Sequence, residues 1–106
     1  MNDIRPDIEQ IYQESKSSQR PLAALREALI YYIEAKTGDS MDKDMLEFAA
    51  DYHDINSQAH KKGYDSYIGD LVNLVERYMH TFNQRKKIEQ MEQRRKEQER
   101  AQRSLF

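Results

Sequence analysis

The stretch from Tyr64 to Met91, YDSYIGDLVNLVERYMHTFNQRKKIEQM, decides how the rest of the chain is read. Tyr67 or Ile68, then Leu71, Val75, Tyr78 and Phe82 recur at steps of three and four, the spacing that gathers side chains on one face of an α-helix. No Gly or Pro follows Gly69. Residues 84–101 are strong helix formers with Glu–Arg and Glu–Lys support, yet the apolar stripe fades after Ile88 and Met91. The pattern predicts a helix that begins in a core and leaves it, continuing as a solvated extension or a fraying arm. Fully helical, residues 84–101 would project about 27 Å.

Three shorter helical patterns precede it. Ile4, Ile8, Ile11 and Tyr12 mark the first, with Pro6 tolerated in an opening turn. After the loop SKSSQRP, a second runs from Pro21 with Leu22, Leu25, Leu29, Tyr32 and Ile33 on one stripe, and stops at Thr37-Gly38. Asp39 or Ser40 then offers an N-cap to a third, striped by Met41, Met45, Phe48, Tyr52, Ile55 and Ala59 and closed by Lys61-Lys62-Gly63. No alternating pattern predicts a strand. The expected fold is all-α: a small three- or four-helix bundle whose long C-terminal helix runs into a charged, partly disordered tail.

Composition agrees with a small core and much solvated surface, since 38% of the 106 residues are hydrophobic and 34% charged. Three Gly and two Pro are too few for the turns of an all-β sandwich. The absence of Cys excludes disulfides and thiolate-held metal and fits a reducing compartment. Neither a signal-peptide core nor a transmembrane run is present, so a soluble cytoplasmic protein with no membrane partner is expected. The net charge of −2 conceals a break. Residues 1–83 carry 9 Lys and Arg against 15 Asp and Glu, net −6, whereas residues 84–106 carry 8 against 4, net +4. Three segments follow: an acidic helical bundle over 1–83, a basic, mixed-charge tether over 84–101, and a terminal peptide over 102–106.

Catalytic constellations are poorly supported. His53-Asp54 matches only the dipeptide of the HD-type metal-dependent phosphohydrolases, and no His precedes it to complete that site. Glu47, Asp51 and Asp54 share one side of the third helix and could ligate a hard cation, but a di-iron bundle would also want Glu-x-x-His, which is missing. An acidic solvent face explains them. Arg77-x-x-His80 is too short for the nuclease motif of HEPN helical domains, and His80 reads as a surface residue. Most of the seven Tyr fall on or beside apolar stripes. Tyr64 and Tyr67 are candidates for a binding surface. No catalytic residue, cofactor or metal site is assigned.

The tail is more informative. Arg85, Lys86, Lys87, Arg94, Arg95, Lys96, Arg100 and Arg103 could neutralise phosphates weakly and without sequence preference, Arg85 to Lys87 and Arg94 to Lys96 being the nucleic-acid candidates. Four Glu interrupt the run, and no aromatic occurs before Phe106. The chain ends Gln102-Arg103-Ser104-Leu105-Phe106. This pentapeptide resembles the clamp-binding motif of bacterial replication and repair proteins, Gln-x-Ser/Asp-Leu-Phe, and differs from its commonest form only at Arg103, where the family is tolerant. The related eukaryotic and archaeal motif requires a further aromatic pair, for which the chain stops too early.

The resemblance covers five residues and implies docking in a groove of the bacterial DNA sliding clamp through Gln102, Ser104, Leu105 and Phe106. Leu105 and Phe106 suit an apolar pocket, and Gln102 can donate and accept at its rim. The expected function is a non-enzymatic replication or repair accessory that recruits to the clamp or inhibits it, encoded by a cell, phage or mobile element. The alternative is a helical interaction or assembly protein whose basic tail forms a coiled coil or contacts nucleic acid; under either reading a homo-oligomer is among the expected partners. Heptads do not continue past Met91, which disfavours the coiled coil.

Overall fold

The computed structural model describes the backbone from Asp3 to Arg103 and side chains from Asp3 to Arg95. It contains α1 (Arg5–Ser15), α2 (Pro21–Thr37), α3 (Met45–Ser57), a single 3-10 turn (Ala59–Lys61) and α4 (Tyr64–Arg103), with no strand among the described residues. Each of α1, α2 and α3 packs on the first half of α4, and α1 also packs on α2. The 40-residue α4 is therefore the mast of the bundle. It sets the shape, 67 × 27 × 21 Å with a radius of gyration of 18.6 Å, where a compact chain of this length would have about 13 Å.

Spacing on α4 converts directly into burial. Tyr67, Ile68, Leu71, Leu74, Val75, Tyr78 and Phe82 are all buried, and the core closes around them with Ile4 and Ile8, with Leu25, Leu29, Ile30 and Ile33, and with Met41, Phe48 and Tyr52. Phe48 sits edge-on to Tyr78 with ring centroids 5.3 Å apart, joining α3 to α4. Phe82 is the last core residue on the mast. From there α4 continues through Arg103 without interruption, a projection of about 30 Å.

Local chemistry explains where the other helices stop. Pro21 opens α2, where its missing N–H has no intrahelical partner to lose. Gly38 ends the helix at φ 72°, a left-handed conformation that only Gly adopts cheaply, and its N–H reaches Glu34 O at 2.8 Å.

Three sequence expectations need correction. The third helix begins at Met45 rather than after Asp39 or Ser40, because residues 41–44 form a turn closed by Asp44 N–H to Met41 O at 2.9 Å. Within that turn Met41 is fully buried, and its N–H donates to Glu34 Oε2 at 2.9 Å. Met45 is exposed, in the first turn of α3, and Leu22 is exposed in the first turn of α2. Both lie on the expected stripes but in opening turns, outside the core cluster. Finally, α3 stops at Ser57, ahead of Lys61-Lys62-Gly63, and the 3-10 turn carries the chain into α4.

Candidate functional site

At the root of the arm the structure gives partners to two of the nucleic-acid candidates. Arg85, first among the nucleic-acid candidates, donates from Nη1 to Asp44 Oδ2 at 3.2 Å and from Nη2 to Oδ1 at 3.5 Å. Its guanidinium also lies 5.3 Å from the Phe82 ring centroid. Lys86 turns the same way: its Nζ donates to the carbonyl of Thr37 at the C-terminus of α2 and lies 3.6 Å from Asp39 Oδ2. A helix C-terminus presents unpaired carbonyls and a partial negative charge, so an ammonium there is doubly favourable. Two cations that read as phosphate ligands are thus engaged in bracing α4 against the α2–α3 loop.

Beyond the brace, Lys87, Arg94 and Arg95 are exposed and make no ion pair among the described residues. Ile88 and Met91 are also exposed, one turn apart on this part of α4. The side chains of Lys96 and Gln102 and the whole of Ser104, Leu105 and Phe106 lie outside the described residues.

In the head, the suspected catalytic groups are dispersed or already partnered. His53, Asp54 and His80 are exposed. Asp51 accepts from Arg77 Nη2 at 2.6 Å and from the Tyr78 hydroxyl at 3.1 Å, tying α3 to α4. Glu47 faces solvent, and the side chains of Glu47, Asp51 and Asp54 do not converge: among the described residues no three His, Cys, Asp or Glu are placed to hold a metal ion. Nor is any helix there long and apolar enough to cross a membrane.

Four of the seven tyrosines hold the fold together through their hydroxyls, and Tyr31 stands exposed on α2. Tyr52 donates to Leu22 O at 2.6 Å, Tyr67 to Asn56 Oδ1, and Tyr32 to Asp7 Oδ2 at 2.8 Å. Burial pushes the Tyr52 and Tyr67 phenols up, and burial followed by the Asp51 carboxylate does the same to Tyr78. Partial burial, then the bond to Asp7, raises Tyr32 to about 12. Tyr64 differs. It is exposed, its ring lies 5.6 Å from Tyr12, and it lines a depression with Tyr12, Leu22 and Ala59 at the end of the bundle opposite the arm. The sequence pointed to Tyr64 and Tyr67 together; Tyr67 forms the buried wall of this depression and Tyr64 its open edge. Leu22, Tyr12 and Ala59 carried no such signal, being parts of separate helical patterns.

No protein-family model, curated protein or solved structure matches the chain.

Proposed function

We propose that this chain is a non-catalytic accessory or regulatory protein of DNA replication or repair that binds the bacterial sliding clamp through Gln102, Ser104, Leu105 and Phe106. The observation that carries the reading is the pentapeptide itself, QRSLF, which meets the clamp motif at each constrained position. The arm supports it. The helix leading into the motif runs on from the Arg85–Lys86 brace to Arg103, about 25 Å, so a partner as broad as a ring would meet little steric conflict with the head.

The energetics suit a reversible contact. Full burial of Leu105 and Phe106 contributes about 1.5–3 kcal/mol each, from which the ordering of the peptide subtracts. Lys87, Arg94 and Arg95 add a salt-sensitive attraction to DNA already threaded through the ring. Because the groove is shared among clamp clients, occupancy by this peptide displaces a competitor. The head then decides whether the result is delivery or inhibition.

The test is binding of the intact chain to a purified bacterial sliding clamp beside the double variant Leu105→Ala/Phe106→Ala. Micromolar or tighter binding that the variant loses supports the proposal; absence of binding by the intact chain at low salt and high concentration rejects it. A second reading is an assembly protein that self-associates along the arm, favoured by the exposed Ile88 and Met91. Sedimentation equilibrium of the intact chain separates the two, since only the second requires a dimer that Ile88→Lys dissolves.

A further inference from the structure

We propose that the depression at the arm-distal end of the bundle docks a short acidic peptide segment of a partner protein, anchored by one or two large apolar side chains. The cavity there is ≈ 540 Å³, with Tyr12, Leu22, Ala59, Tyr64 and Tyr67 around it. A second hollow of ≈ 210 Å³ adjoins it, sharing Leu22 and Asn56 and adding Ala23, Ala49 and Arg26. Leu22 is 59% exposed and Tyr64 44%, so apolar surface contributed by three different helices stands open to water in one concave place.

Charge identifies the occupant. The head has a net charge of −6 over residues 1–83, yet no carboxylate lines either hollow among the described residues. The charged and titratable side chains there are Lys62, His60, Arg26 and His53, and Lys16 stands over the Tyr12 ring at 4.7 Å from its centroid. Lys62 is shared with Asp70 at 2.7 Å, whereas Arg26 and Lys16 have no ion pair among the described residues. The groove between α3 and α4 makes the contrast, since Asp51, Asp54 and Asp70 line it. An apolar concavity with a basic edge, set in an acidic surface, selects a segment in which Leu, Phe or Trp is flanked by Asp or Glu.

Single-stranded nucleic acid also combines negative charge with flat apolar groups, but the geometry suits it less. Tyr12 meets Tyr64 at 55° and Tyr67 at 66°, and Lys16 covers a face of Tyr12, so the rings offer edges rather than an open stacking platform. The acidic head would also repel a polyanion at long range, while a short segment with a few carboxylates feels mainly the local basic edge.

The experiment is selection of random dodecapeptides displayed on phage against the purified intact chain, followed by titration of the winning peptide in synthetic form. Winners rich in Asp and Glu around Leu, Phe or Trp are expected. Their affinity should fall about tenfold with Leu22→Glu and several-fold with Arg26→Glu, the second loss shrinking at high salt. Both residues lie outside the core, and Tyr64→Ala provides a third variant should either melt early. Leu105→Ala/Phe106→Ala should bind the peptide unchanged, which keeps this site separate from the clamp reading. Failure to enrich acidic–apolar sequences, or binding indifferent to Leu22→Glu and Tyr64→Ala, overturns the proposal. So does oligo(dT) binding that those variants abolish, which would make the depression a nucleic-acid site.

Discussion

Removing the guanidinium of Arg85 should cost more than removing the charge of its partner. The Asp44 side chain is only 11% exposed whereas that of Arg85 is 55% exposed, so the two ends of the pair stand in different media. Two unit charges near 4 Å attract by about 4 kcal/mol at an effective dielectric of ~20, and desolvation cancels most of it. Fully exposed pairs retain about 0.2–1 kcal/mol, while orphaning a fully buried ion costs about 3–5 kcal/mol. Arg85→Met leaves Asp44 charged in a mostly closed place and forfeits the cation–π contact to Phe82, which places its cost at about 1.5–2.5 kcal/mol. Asp44→Asn lets Arg85 turn to water and forfeits no cap, since the Asp44 side chain makes no capping hydrogen bond at α3, so about 0.5–1 kcal/mol is expected. Urea denaturation followed at 222 nm, for the wild type, both single variants and the double variant, closes the cycle. Equal costs for the two single variants, or a coupling below about 0.3 kcal/mol, would refute the account of the brace.

Truncation along α4 should separate core from arm: Leu71→Ala, fully buried, is expected to lose about 2–5 kcal/mol, whereas Met91→Ala should stay within about 0.5 kcal/mol by the same urea assay. Gly38→Ala should lose about 1–2 kcal/mol, because φ is 72° there, a conformation that a Cβ strains whatever the space; a thermal midpoint unchanged by calorimetry would contradict this. In alkali, Tyr32, raised to about 12, and Tyr52, Tyr67 and Tyr78, also raised, all hold their protons more tightly folded than unfolded. Their contribution to stability is complete below the ordinary tyrosine value near 10 and is lost as pH rises through the folded values. Urea midpoints should therefore fall between pH 10 and 12, with phenolate absorbance at 295 nm lagging until the chain unfolds; midpoints independent of pH would sink the argument.

How much of this was legible in the sequence depends on range. The α4 stripe from Tyr67 to Phe82 could be read because one continuous helix fixes the azimuth of each residue, and burial followed azimuth. The same logic failed at Leu22 and Met45, which share the stripes but sit in opening turns outside the core. Met41 is buried as its place on the stripe implies, but from a turn rather than from the helix. Arg85 and Lys86 looked like a surface basic patch because their partners lie 41 and 49 residues upstream, and nothing local announces them. The depression draws on α1, α2, the 3-10 turn and α4, so only folding assembles it. The QRSLF peptide is the opposite case: a linear motif carries its whole signal in consecutive residues and needs no fold to be read.

One consequence of the unbroken mast concerns rotation. Tyr64, beside the depression, and Gln102, opening the clamp-like peptide, belong to the same helix, so the angle between their backbone positions around its axis is indexed by residue number. Inserting one residue after Arg95 would turn everything beyond it by about 100° while moving it only about 1.5 Å. Inserting seven would advance it about 10 Å and return it to within about 20° of its starting direction. Chains with insertions of one to seven residues there would thus sample orientation and reach almost independently. A function that depends on how two partners face each other would recover at seven, whereas one that depends only on tethering would not notice.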